Sequence, residues 1–101
     1  MKPFSPEEKK IIDAVSILTG IRPEVIWFAF QMERKLKAND HKGGWKSCTN
    51  TYLLSRLTQE SKEIKEAITQ FGKTQQDVID ECADTANIAM MLATNNGKIK
   101  I

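Results

Sequence analysis

The chain is poor in the residues that hold soft metals or cross-link a small fold. Among 101 residues there is one histidine, His41, and there are two cysteines, Cys48 and Cys82. The cysteines form no Cys-x-x-Cys, which removes the spacing of zinc-binding and dithiol redox motifs. Cys82 has core-like neighbours, so a buried thiol is expected rather than a disulfide. No apolar run approaches the roughly 20 residues that span a bilayer. Met1 to Lys10 is polar and charged, unlike a secretory leader. There is no repeat, no low-complexity tract and no convincing long strand. Excess charge is also scarce: a net +2 is too small to imply a nucleic-acid or membrane partner by itself. These absences leave a single cytosolic domain over residues 1–101, with an ordinary 41% hydrophobic content.

What is present is helical punctuation. Ser5-Pro6-Glu7-Glu8 combines an N-cap, a proline suited to the first helical position and the acid of a capping box. Ile11, Ile12, Val15 and Leu18 follow at helical spacing, and Gly20 is the stop after a helix ending near Thr19. Pro23 opens a second helix with Val25, Ile26, Phe28, Ala29, Met32 and Leu36 on its apolar face. It fades by Ala38 or Asn39, with Arg34, Lys35 and Lys37 complementing the helix dipole in its last turns. Ser47, Thr49 and Asn50 offer caps for a third helix to about Phe71, ended by Gly72. Thr74 caps a fourth, with Asp77 making an imperfect capping box, and that helix runs to about Thr94 before Asn95-Asn96-Gly97. The tail Lys98-Ile99-Lys100-Ile101 alternates, as a frayed end or a short strand on a partner chain would. The expected fold is all-α, a four-helix bundle-like domain. Helices of about 20 residues, each about 30 Å long, leave little room for a closed monomeric core. Completion of the core by self-association is therefore expected.

The third and fourth helices each carry a carboxylate pair at i,i+3, which places its members on one face. Glu60 and Glu63 form the first pair; Glu81 and Asp84 form the second. At 100° per residue, Glu60 falls inside the stripe of Leu53, Leu57, Ile64, Ala67, Ile68 and Phe71, with Glu63 on its border. Glu81 falls inside the stripe of Val78, Ile88 and Leu92, with Asp84 at its edge. Either pair alone is an ordinary solvated, salt-bridged face. Together on adjacent helices they bring four acids into a largely apolar interior, where ionised carboxylates are disfavoured and repel one another. A divalent cation resolves that conflict. Oxygen-only ligands suit Mg²⁺, with Mn²⁺ as a substitute, and no His or Cys stands at ligand spacing for zinc.

The segment Asn39-Asp40-His41-Lys42-Gly43-Gly44-Trp45-Lys46 is the loop with most chemistry. Lys42 and Lys46 are candidate phosphate contacts, although the Gly-x-x-x-x-Gly-Lys spacing of a Walker loop is absent. Trp45 either stacks on a base or caps the core. His41 is a candidate substrate contact or an ordinary exposed histidine. Arg56, one turn before Glu60, is a further phosphate candidate. Asn87, three residues after Asp84, either reaches a substrate or bonds a neighbouring helix.

Glu60-x-x-Glu63, seventeen intervening residues, then Glu81-x-x-Asp84 resembles the signature of the all-α nucleotide pyrophosphohydrolases, the MazG-like proteins and their relatives. Asn87 matches a polar position often found one turn on. His41-Lys42-Gly43-Gly44-Trp45 is similar to a loop preceding the first acidic helix in a small phage-type and bacterial branch. The resemblance covers roughly residues 32 to 91 and lacks the second domain of larger relatives. It implies Mg²⁺ held by Glu60, Glu63, Glu81 and Asp84. It also implies a nucleoside triphosphate substrate hydrolysed to its monophosphate and pyrophosphate, a role in nucleotide-pool control, and assembly as dimers or tetramers. On that reading His41, Lys42, Trp45, Lys46, Arg56 and Asn87 are the substrate contacts. Glu63, nearest the polar border of its stripe, is the choice for orienting or deprotonating the water. Two other readings compete: a non-catalytic helical interaction module, and a small nucleic-acid binder using Lys35, Lys37, Lys42, Lys46 and Trp45. The weak net charge counts against the latter.

Overall fold

A computed structural model describes residues 5–40 and 43–100, and these are helical with no strand among them. Helix α1 spans Pro6–Thr19, α2 Pro23–Ala38, α3 Asn50–Thr69 and α4 Gln75–Gly97. The ends follow from local chemistry. The Ser5 hydroxyl accepts from the Glu8 N–H at 3.2 Å, and Pro6 occupies the first turn. Gly20 closes α1 at φ +74°, a left-handed conformation in which a side chain would be strained. Thr49 caps α3 through the Tyr52 N–H at 3.1 Å. The capping box of α4 is complete despite its shorter acid: Thr74 Oγ1 accepts from the Asp77 N–H at 3.1 Å, and the Thr74 N–H donates to Asp77 Oδ2 at 2.8 Å.

Two helix ends differ from the sequence-based expectation. Helix α3 stops at Thr69, two residues early, because the chain turns extended at Gln70 before Gly72. Helix α4 continues through Asn95-Asn96 to Gly97. The Asn96 side chain donates to the Leu92 carbonyl at 2.8 Å and pairs reciprocally with Asn50, so these asparagines lengthen the helix instead of stopping it. The tail forms no strand over Lys98–Lys100. Lys98 takes a left-handed cap, and the Ile99 N–H returns to the Thr94 carbonyl at 3.1 Å.

Helix α4 is the spine. Both α2 and α3 lie against it, whereas α1 rests on α2 alone. Flanked on two sides, α4 is partly or fully covered at every position from Gln76 to Leu92 except Ala89. The core is small: Ile12, Ile26, Leu53, Ala67, Ala83 and Ile88, with Ala83 wholly enclosed. The arrangement is open where a closed bundle would be compact. Its radius of gyration is 15.0 Å, against about 13 Å for a compact chain of this length. Ile68 and Phe71, expected on the buried stripe of α3, are exposed, as are Ile17 and Leu18 of α1, because no described element reaches them. Both cysteines are free and half-buried. With so few core residues, each carries a large share of stability. Leu53→Ala is expected to cost about 3 kcal/mol, read as a lower urea midpoint at unchanged slope.

Candidate functional site

The α3–α4 pairing sets the acids against one another. Glu60, Glu63 and Glu81 each offer a carboxylate oxygen, and these oxygens lie within 4.8 Å of one another. Glu60 comes from the buried face of α3 and is 6% exposed; Glu63 and Glu81 are half-buried at the rim. Asp84 is adjacent but turned: its Oδ2 stands 3.6 Å from Lys35 Nζ of α2. Glu60 Oε1 accepts from Arg56 Nη2 at 2.7 Å, one turn back on the same helix. The other oxygens, Glu60 Oε2 and Glu81 Oε2, are buried and, with the acids ionised, have no hydrogen-bond partner among the described residues. Unpartnered buried acceptors are costly, a cost that a cation or a bound proton would relieve.

The electrostatics agree. Burial, followed by the hydrogen bond and charge of Glu63, pushes the Glu60 carboxyl up to about 7, with Arg56 opposing. Burial and Glu63, then Asp84, push Glu81 up to about 7, with Lys35 opposing. Burial raises Asp84 too, against the pull of Lys35. Outside the cluster the direction reverses. Burial works against ionisation of Asp80, but hydrogen bonds from Arg34 and Gln76 outweigh it and hold that carboxyl low. Glu60, Glu81 and Asp84 are thus the acids whose ionised state is disfavoured.

Beside the cluster opens a cleft of about 420 Å³, bounded by α2, α3, α4 and the loop after α2. This lies within the size range of small-molecule sites. Glu60 and Asp84 bring carboxylates to its lining; Lys35, Arg56 and Asn87 bring further polar groups; Leu36, Leu53, Ile88, Met91 and Trp45 form apolar wall. Trp45 is half-buried and fixed. Its indole N–H donates to Thr94 Oγ1 at 3.4 Å, and its carbonyl accepts from Asn95 Nδ2 at 3.0 Å. The tryptophan therefore both packs on α4 and presents an edge of the cleft. Asn87 is buried, and its Nδ2 donates to the Met32 carbonyl at 3.0 Å, so it ties α4 to α2 while lining the cleft.

Of the expected substrate contacts, Trp45, Arg56 and Asn87 meet at this cleft, whereas Lys46 is exposed and outside its lining. His41 and Lys42 lie outside the described residues. Lys35 is the residue that sequence reading assigned elsewhere. In the chain it looks like a dipole-complementing cation near a helix end; in space it faces Asp84. Its only sequence signal is a position one turn above Met32 and level with Leu36 on the α2 surface that meets α4.

Compared with protein-family models, curated proteins and solved structures, the chain matches none.

Proposed function

We propose that the protein is a divalent-metal-dependent nucleoside triphosphate pyrophosphohydrolase. The observation that carries this reading is the convergence of Glu60, Glu63 and Glu81, two of them with unpartnered buried oxygens, with Glu60 also lining a tryptophan-bearing cleft. The MazG-like signature of the sequence supports it. The donor set fits the ion: hard carboxylate oxygens, two of which no described cation or N–H reaches when the acids are ionised. Glu60, Glu63 and Glu81 would hold Mg²⁺ or Mn²⁺, with Asp84 as the adjacent fourth acid. When bound, the ion supplies charge neutralisation and Lewis acidity for phosphoryl chemistry.

The remaining work falls to the chain itself. Trp45 offers a ring face for a base, held in place by Thr94 and Asn95. Arg56 and Lys35 supply positive charge beside the phosphates. Glu63, at the rim and between Glu60 and Glu81, is placed to take a proton from water. The new bond joins the water oxygen to the α-phosphorus. The bridging oxygen of the α–β anhydride departs with its electron pair, giving a nucleoside monophosphate and pyrophosphate. The test is phosphate analysis after incubation with each common ribo- and deoxynucleoside triphosphate in Mg²⁺, in Mn²⁺ and without metal. Pyrophosphate matched by monophosphate is expected only with metal. Orthophosphate as the product overturns the bond assignment, and no turnover favours the interaction-module reading.

The same reading includes self-association. The chain exposes 7449 Å², where a folded monomer of 11.4 kDa exposes about 5,800 Å². The excess, about 1,700 Å², is of the order that one subunit hides in an obligate homodimer. Much of it is apolar: Ile17, Leu18, Ile68 and Phe71 each stand more than half exposed. Light scattering coupled to gel filtration is expected to give at least twice 11.4 kDa. A monodisperse monomer at micromolar concentration would remove oligomerisation from the proposal.

A further inference from the structure

Two cations already stand among the acids. Arg56 Nη2 is 2.7 Å from Glu60 and Lys35 Nζ is 3.6 Å from Asp84. They reach the site from different helices, Arg56 from α3 and Lys35 from α2, and both line the cleft. Lys35 acts beyond its closest partner, since its charge also favours ionisation of Glu81 and Asp80. Neither cation satisfies the innermost oxygens. Glu60 Oε2 and Glu81 Oε2 stay without a partner while Arg56 holds the other oxygen of Glu60 and Lys35 holds Asp84.

Counting charge shows what this arrangement does. Once all four acids are ionised, as binding a divalent ion requires, the two resident cations leave two negative charges, the amount one such ion cancels. A polyphosphate then brings further negative charge that one ion does not neutralise. Lysine and arginine on flexible stems are able to re-aim by several ångströms, and phosphate oxygens are strong acceptors for both. The Arg56 side chain is 38% exposed and the Lys35 side chain 22%, and both line the open cleft into which a ligand would enter.

We infer that Lys35 and Arg56 are exchangeable counter-ions: they compete with the divalent cation for the acids in the empty site and transfer to phosphate oxygens when a nucleotide phosphate, single or chained, arrives. This rests on the acids being a metal site. The consequence is positive coupling, because each ligand removes a cost that opposes the other, and the coupling is reciprocal. Metal without phosphate is held weakly, and so is phosphate without metal. Lys35 thereby becomes a positioning residue that also sets metal affinity.

The test is Mn²⁺ titration followed by the paramagnetic resonance of free Mn²⁺, which does not depend on turnover. Wild type is compared with Lys35→Gln, Arg56→Gln and the charge-keeping Lys35→Arg, with folding checked by circular dichroism. Without phosphate, Lys35→Gln and Arg56→Gln are expected to bind Mn²⁺ about tenfold more tightly than wild type. Lys35→Arg should stay within about twofold of wild type, which separates charge from packing. Addition of a mixture of the four deoxynucleoside monophosphates, which chelate Mn²⁺ only weakly, should tighten Mn²⁺ binding in wild type and do so less in the two glutamine variants. Equal or weaker Mn²⁺ binding in both glutamine variants overturns the exchange while leaving the metal site intact. If no protein binds Mn²⁺, the metal reading and the exchange fall together. Two independent positions keep the test decisive if one variant fails to fold.

Discussion

Glu81→Gln is expected to reduce metal-dependent pyrophosphate release by at least about 100-fold while the helical circular dichroism spectrum stays unchanged. The estimate comes from ligand-orienting groups one layer further out, whose loss typically costs about 10–100-fold, so a direct ligand should cost more. Glutamine keeps the shape of the side chain and removes its charge. Glu81 is the cleanest position for this test because no arginine or lysine among the described residues forms an ion pair with it, whereas Glu60 also anchors Arg56. The amide has a second expected effect of opposite sign. The ionised Glu81 carboxylate is disfavoured where it stands, by burial first and then by Glu63 and Asp84. Removing its charge should raise the Tm of the metal-free protein at pH 8 and leave it nearly unchanged at pH 5. A variant that loses turnover and gains metal-free stability is hard to explain by damage to the fold. Full turnover in Glu81→Gln and Glu60→Gln alike would remove these acids from the reaction.

The second large effect is on stability against pH. Glu60 and Glu81 each have a folded-state pKa of about 7, above the ordinary 4.5. A carboxyl raised in this way binds its proton more tightly in the folded state. Its stabilising contribution is complete below the ordinary value and is lost as pH rises through about 7. Asp84, also raised, acts in the same direction. Asp77 and Asp80 are lowered, so their contribution is present at neutral pH and fades only as the pH falls below their ordinary 3.8. Between pH 5 and pH 8 the raised group therefore dominates. The Tm of the metal-free protein is expected to fall by about 10 °C over that interval, after allowance for solvent at the half-exposed rim. Millimolar Mg²⁺ should restore most of the loss at pH 8 and do little at pH 5, since a ligand that binds only the native state stabilises it and needs the acids deprotonated. Calorimetry at matched ionic strength measures both. A flat pH profile, or an Mg²⁺ effect of equal size at both pH values, would contradict the cluster as a cation site.

The helices were legible because their ends are written in local chemistry. Ser5, Pro6, Gly20, Thr74 and Asp77 act on backbone groups within four residues of themselves, and each does in the structure what its position in the chain implies. The carboxylate pairs were legible for the same reason, since i,i+3 spacing is a property of one helix. Which apolar residues end up covered was less readable. Periodicity marks Ile68 and Phe71 as the inner face of α3, but coverage depends on whether another element lies over them, and α4 crosses that face nearer Leu53, Glu60 and Ala67. Lys35 was unreadable as a site residue because its partner sits on another helix far along the chain. The Trp45 hydrogen bond to Thr94 spans 49 residues and has no local signature either. Asparagine 96 misled because an amide that pairs with Asn50 does not terminate a helix as a solvent-facing one does.

The attachment of α1 to α2 alone has a consequence for how the molecule opens. Detaching α1 unpacks no helix other than α2, so it draws on a smaller free energy than global unfolding does. The native basin is therefore graded: a state with α1 released and the α3–α4 hairpin still closed lies between the fully folded and unfolded chains. In that state the three glutamates keep their mutual geometry, because none of them belongs to α1 or touches it. Breathing of the first helix and integrity of the acidic cluster are separate degrees of freedom, joined only through α2 and the lysine it carries.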